Sequence, residues 1–156
     1  MTGASFAVGA AIGAATAAAA IYYYQSTKTY GFISKVVEAE AAIGKENILP
    51  PKAAKFMIET HDALLLDVQD PGSDVIKGSH CASLGTLPFK ASQDLEDFKD
   101  PVIADRPKDK LIIVNCALGG QAKLGAKLLL EYGFTNVKVI EGGCVAYNKT
   151  CPPKKG

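Results

Sequence analysis

The sequence predicts an α/β fold with a mainly parallel sheet flanked by helices, preceded by one transmembrane helix. Two observations carry the α/β part. Continuous apolar runs of strand length (ALLLDV at 63–68, LIIVN at 111–115, VKVI at 137–140) alternate with segments of helical period. Strands that are apolar on both faces and alternate with helices belong to a parallel sheet covered on both sides. The third observation is the placing of charge. No charged side chain occurs from Met1 to Thr27, Lys28 is the first, and the remainder mixes both signs. The chain therefore reads as a membrane anchor over 1–27, a connector over 28–50, one domain over 51–150 and a short tail over 151–156.

Composition narrows the function classes. The chain has 156 residues, enough for one ordinary domain. Its 17 Lys+Arg and 16 Asp+Glu leave a net charge of +1, without the basic surplus or stripe of a nucleic-acid binder. The 4 cysteines (Cys81, Cys116, Cys144 and Cys151) are too few and too scattered for a disulfide scaffold. None of them has zinc-ligand spacing, so no structural metal is expected.

The anchor is the run Ala4–Tyr24. At about 1.5 Å per residue it spans roughly 31 Å, close to the ~30 Å hydrocarbon core. Apolar residues go all the way round it, and Tyr22, Tyr23 and Tyr24 would sit at the headgroups. The anchor is preferred over two alternatives: a buried helix of the soluble domain, since alanine is only mildly apolar, and a cleaved secretory signal, for which AAAA before Ile21 offers a cleavage site but MTGAS lacks the usual Lys or Arg. Gly9 and Gly13 form G-x-x-x-G, a face that admits a partner transmembrane helix at close range. Lys28 and Lys35 flank only the C-terminal side, which places the domain on the cytoplasm-like side of the membrane, stroma or matrix included.

The connector holds a short amphipathic helix, with Phe32, Val36, Ala39 and Ile43 on one face and Gly44 as its stop. Pro50-Pro51 marks the domain boundary. Pro51–Thr60 is a helix with Pro51 in its first turn. Ala63–Val68 is a buried strand and Ser79–Leu84 a weaker one. Gln93–Lys99 reads as a short helix exposing Asp94, Glu96 and Asp97. Leu111–Asn115 is the second strong strand, and Gln121–Tyr132 is a helix with Leu124, Leu128 and Leu129 at core spacing, ended by Gly133. Val137–Ile140 is the last strand, closed by Glu141-Gly142-Gly143. Sites in such sheets lie beyond the carboxyl ends of strands, and two residues stand there: Asp67 and Cys116.

Four stretches in order give the domain a resemblance. LLLDVQD resembles an L-[IL]-D-V-R segment, with Gln69 in the place of an Arg. Ile76-Lys77-Gly78-Ser79 resembles I-P-G-A. LIIVNCALGGQA resembles a strand and active-site loop of the form C-x-x-G-x-R-[AS]. YGFTNVKVIEGGCVAYNK resembles G-F-x-x-V-x-x-L-x-G-G-x-x-x-W, with Tyr147 for the Trp. The sequence thus resembles a single rhodanese-like (sulfurtransferase) domain over roughly Pro51–Lys149.

The residues support a cysteine site independently. Cys116 follows a buried strand and precedes a helix, and the loop Ala117-Leu118-Gly119-Gly120-Gln121 can turn its N–H groups inward. The helix N-terminus adds positive potential that favours anionic sulfur. The resemblance implies sulfur transfer through a Cys116 persulfide from a sulfane-sulfur donor, with no cofactor and no metal. Gln121 stands where the family carries Arg, so an anionic donor loses a charge partner. Lys123 and Lys127 are candidates to replace it. A related phosphatase reading needs Arg where Ala122 stands. Asp67 is expected to brace the site, and Cys144, directly after the Gly-Gly, to lie near Cys116 as a buried residue or as a resolving thiol. His61 and His80 read as structural. Two functions stay open: a membrane-anchored sulfurtransferase or sulfur carrier, and a catalytically silent accessory subunit of a membrane complex.

Overall fold

A computed structural model describes residues 31–152 of the chain. The transmembrane expectation for 1–27, with its Gly9/Gly13 face, lies outside the described residues. Among those described, no helix is long and apolar enough to cross a membrane. Their contacts gather into a compact unit that begins at Lys35.

The elements follow in chain order as α1 (Phe32–Ile43), β1 (Ile48–Leu49), α2 (Pro51–Thr60), β2 (Leu64–Asp67), β3 (His80–Cys81), α3 (Leu87–Lys90), α4 (Pro101–Ala104), β4 (Ile112–Asn115), α5 (Gly120–Glu131), β5 (Val137–Ile140) and α6 (Gly143–Thr150). The strands form one sheet in the order β1-β5-β4-β2-β3. Every pairing is parallel, including Leu64–Asp67 on Ile112–Asn115 and Ile112–Val114 on Val137–Val139. Parallel neighbours need crossovers, and the apolar runs found in the sequence supply strands buried on both sides.

The period-2 alternation of strand side chains sorts the core into two layers. Leu66, Val68, Ile112, Val114, Val137 and Val139 face one way, against Ile43 of α1, Leu87 of α3, Ile103 of α4 and Ala122, Ala126 and Leu129 of α5. Leu65, Ile113 and Ile140 face the other way, against Ala54 of α2 and Tyr147 of α6. At Gly125 a Cβ would stand 3.3 Å from both Leu87 and Val68, so the missing side chain lets α5 lie close to the sheet.

Several expectations change. Gln93–Lys99 is a series of turns, and the helices nearby are α3 and α4. The reason is local capping: Asp100 accepts the Val102 N–H at 3.1 Å and starts α4 at Pro101, while Gln93 donates to the Ala104 carbonyl at 2.9 Å. The sheet also takes in Ile48 and Leu49, upstream of Pro50-Pro51, and α1 contributes Ile43 to the core. The connector is therefore built into the folded unit from Lys35 onward. The segment after Gly142 is a helix, α6, which the weak periodicity of GCVAYNKT hid.

Candidate active site

Cys116 lies one residue beyond β4, at the carboxyl edge of the sheet, and is 2% exposed. Its Sγ accepts the N–H of Gly119 at 3.1 Å and that of Ala122 at 3.3 Å. Ala122 belongs to the first turn of α5, whose N–H groups have no partner within the helix. The sulfur thus fills the role that a capping oxygen fills elsewhere. Gly119 makes the turn into α5 at φ 93, a left-handed conformation that suits glycine.

The N-terminus of α6 explains why the loop's N–H groups can turn inward. Cys144 N–H donates to the Cys116 carbonyl at 2.8 Å, and Val145 N–H donates to the Ala117 carbonyl at 3.2 Å. Two unpartnered donors of α6 therefore hold the loop's carbonyls outward. This contact requires glycine at 143: its φ is 65, and a Cβ there would collide with the carbonyl oxygens of Cys116 and Ala117. The closing Gly142-Gly143 pair of the sequence thus serves the loop of Cys116. Leu118 at the loop's tip is exposed, and Ala117, Gly120 and Gln121 are half-buried.

Asp67 ends β2 directly opposite Asn115, the residue before Cys116. It is 1% exposed, and its carboxylate accepts three donors: Gln69 N–H at 2.9 Å, Gln69 Nε2 at 3.1 Å and Asn115 Nδ2 at 3.0 Å. Gln69 Nε2 also donates to the Asp74 carbonyl at 3.0 Å and approaches Cys144 Sγ at 3.9 Å. Cys144 Sγ donates to the Asp74 carbonyl at 3.3 Å. Burial, and then the Asp67 charge, push the Cys144 thiol above its ordinary range. The brace expected of Asp67 thus runs through Asn115 and Gln69 to the Cys144 side. Asn115 is the member of this network that sequence reasoning missed, its signal being polarity at the end of an otherwise apolar strand, while Gln69 stood out only as the residue in the place of an Arg. Asn115 Oδ1 is buried without a partner.

Neither lysine considered as a replacement for Arg turns to the loop. Lys123 Nζ lies 2.6 Å from Glu40 of α1, and Lys127 pairs with Glu131 at 3.5 Å. The Lys123 hydrogen bond holds the Glu40 carboxyl below its usual range. His80 Nε2 lies 2.7 Å from Asp100 Oδ2, a tie between β3 and the cap of α4. His61 caps the C-terminus of α2 in an exposed position. A cavity of about 440 Å³ opens at the ends of β2 and β3, with Asp67, Gln69, Cys81 and Lys90 in its lining.

A parallel sheet with a cysteine on a glycine-rich loop at its carboxyl edge, cradled by backbone donors, defines the class: the chain belongs to the rhodanese-like family. The family's model, a rhodanese-like domain, matches residues 50–150. Among curated proteins, the thiosulfate sulfurtransferase GlpE of Actinobacillus succinogenes is 30% identical over 105 residues, covering 67% of this chain and 86% of that protein. GlpE of Pseudomonas syringae is 28% identical over 104 residues, covering 67% and 89%. Among solved structures, a Rhodopseudomonas palustris protein of unknown function, described as a possible tyrosine phosphatase, superposes with a TM-score of 0.69 at 25% identity, covering 83% of this chain and 97% of that one.

Proposed function

We propose that the chain is a sulfurtransferase or sulfur carrier in which Cys116 holds the transferred sulfur as a persulfide. The observation that carries this reading is the pair of backbone N–H groups, from Gly119 and Ala122, directed at Cys116 Sγ. Such donors stabilise anionic sulfur and need no reorganisation when charge appears. The Cys116 thiolate attacks the sulfane sulfur of a donor, an S–S bond forms, and the donor's leaving group departs with the electron pair. A thiophilic acceptor then removes the outer sulfur. With Gln at both 69 and 121 and with Lys123 and Lys127 paired elsewhere, the loop favours persulfide donors over the thiosulfate dianion.

The test is incubation with a low-molecular-weight persulfide, followed by peptide mass spectrometry. One added sulfur on the Cys116 peptide is expected, with none in Cys116→Ser. Absence of uptake from any sulfane donor would remove the reading and leave the second one, a catalytically silent accessory subunit. We extend the proposal to location: the uncharged stretch 1–27 anchors the chain in a membrane, with its domain on the cytoplasm-like side and Gly9 and Gly13 meeting a partner helix. Full-length protein should stay in the pellet through alkaline carbonate and leave it with detergent. Recovery in the carbonate supernatant would sink the anchor.

A further inference from the structure

We propose that α1 lies on the membrane surface, with Ile33, Val37 and Ala41 set against lipid at the headgroup boundary. This rests on the reading of the stretch 1–27 as a membrane anchor and adds to it a second contact, which fixes the domain against the bilayer.

The helix has two apolar faces. Ala39 and Ile43 are buried, and Ile43 belongs to the core layer of α5. One such face is what a surface helix needs to dock on its own domain, and the rest of its surface is ordinarily polar. Here Val37 is 61% exposed and Ile33 is 73% exposed. Ala41 is exposed as well. Successive members of this set are four positions apart, so they form a continuous stripe along the helix. Val37 and Ala41 also line a shallow hollow of about 320 Å³, together with Glu40, Gly44 and Lys45.

The chain that precedes α1 names the occupant. Uncharged sequence runs to Thr27, with Tyr22, Tyr23 and Tyr24 at the end of its apolar part. Tyr24 and Phe32 are eight positions apart, and an extended chain covers at most about 3.6 Å per residue, so α1 begins within roughly 29 Å of the anchor's headgroup end. A helix tethered that closely meets the lipid surface at high effective concentration. Charge suits the same surface. The acids beside the stripe are matched by lysines, Glu38 by Lys35 at 2.8 Å and Glu40 by Lys123 at 2.6 Å. Lys45 is exposed at the rim of the hollow, where lipid phosphate is its natural partner. An interfacial helix sinks its apolar side about 5–10 Å into the boundary between headgroups and acyl chains and keeps its charges in water.

The chain contains no tryptophan, so a single introduced tryptophan reports on one position. Full-length Val37→Trp and Ile33→Trp are reconstituted into vesicles of phosphatidylcholine and phosphatidylglycerol, with and without lipid brominated high on the acyl chain. Phe56→Trp, an exposed position on α2 across the sheet from α1, is the control. Tryptophan at 37 and at 33 should lose about half of its fluorescence or more to the brominated lipid, with emission shifted to the blue, while tryptophan at 56 loses little. Adding Val37→Asp to Ile33→Trp should remove most of the quenching at 33 while the chain stays in the membrane pellet. Both positions are exposed, and either one carries the test if the other variant fails to fold. Unquenched tryptophan at 33 and 37 in vesicle-bound chain overturns the contact and leaves the anchor standing. Blue-shifted emission at 37 that brominated lipid does not quench, the signature of a covering protein segment or a second copy, overturns it in the same way. Quenching at 33 that survives Val37→Asp unchanged comes from the tether alone and also overturns it. A chain that stays in solution when the vesicles are floated overturns both contact and anchor.

Discussion

Gly143 and Gly119 both have positive φ, at 65 and 93, yet substitution should affect them differently. A Cβ at Gly143 meets the carbonyl oxygens of Cys116 and Ala117, backbone atoms that cannot turn aside. At Gly119 the nearest atoms are 3.5 Å away, an ordinary contact, so only the conformational strain of about 1–2 kcal/mol remains. Gly143→Ala should therefore cost more than about 3 kcal/mol in urea unfolding, since it adds the loss of packing and of the α6 hydrogen bonds to that strain. Equal costs at the two positions would mean that α6 does not hold the loop. Gln121 gives a complementary test on activity. Gln121→Arg places a guanidinium in the first turn of α5, where a charge-assisted hydrogen bond to an anionic donor is worth about 1.5 kcal/mol or more. Thiosulfate turnover (kcat/KM) should rise about tenfold, with a smaller change for an uncharged donor; no change would show that a thiosulfate anion does not reach this position.

At the scale of elements, α1 tests where the folded unit begins. Ile43 is 4% exposed within the core layer of α5, whereas Phe32 at the other end of the helix is 54% exposed. Ile43→Ala should cost roughly 2–4 kcal/mol and Phe32→Ala about 0.5 kcal/mol or less, measured by chemical denaturation. A negligible cost at Ile43 would detach α1 from the fold. The strands β2, β4 and β5 and the helix α5 were legible in the sequence because burial on both faces writes continuous apolar runs, and burial on one face writes a helical stripe. β1 was not, because a strand of 2 residues is too short to carry a period. α6 was not, because it begins with glycine and contributes few core residues. The expected helix at 93–99 failed because exposed acidic residues at helical spacing place no apolar face against anything. Cys116 could be found because strand, cysteine and Gly-Gly are consecutive. The Asp67–Gln69–Cys144 network could not, since Gln69 and Cys144 stand 75 positions apart and only the parallel sheet brings them together.

For the whole molecule, proton linkage predicts a stability curve that breaks on the alkaline side. Burial raises Cys144 above its ordinary value of 9.0, and burial raises Tyr147 above 10.0, with Cys151 adding to it. Hydrogen bonds to acidic partners raise Lys55, through Glu59, and Lys99, through Glu96 and Asp105, above 10.5. A group whose folded value is raised contributes its full stability below the unfolded value and loses it as pH climbs toward the folded one. Cys144 and Tyr147 are held neutral in the fold, so the unfolded chain ionises first and gains on it. The two lysines lose their charged partnership higher up. Lys108, lowered by burial, runs the other way, because its desolvation is relieved as it deprotonates. Acidic groups, with Glu40 below its ordinary 4.5, set the opposite limit, losing their contribution as pH falls through that range. Cys144 and Tyr147 sit in the same core layer, so their ionisation loosens the packing of α6. That helix also holds the carbonyls of Cys116 and Ala117, so the cradle around the thiol should open in the same range. The melting temperature should hold level up to about pH 8.5 and fall steadily from about pH 9 to 11. Tyr147→Phe and Cys144→Ala should each flatten that fall, and alkylation of Cys116 should accelerate along it. If both variants fall as steeply as wild type, buried ionisation in the α6 layer is not what limits the fold at high pH.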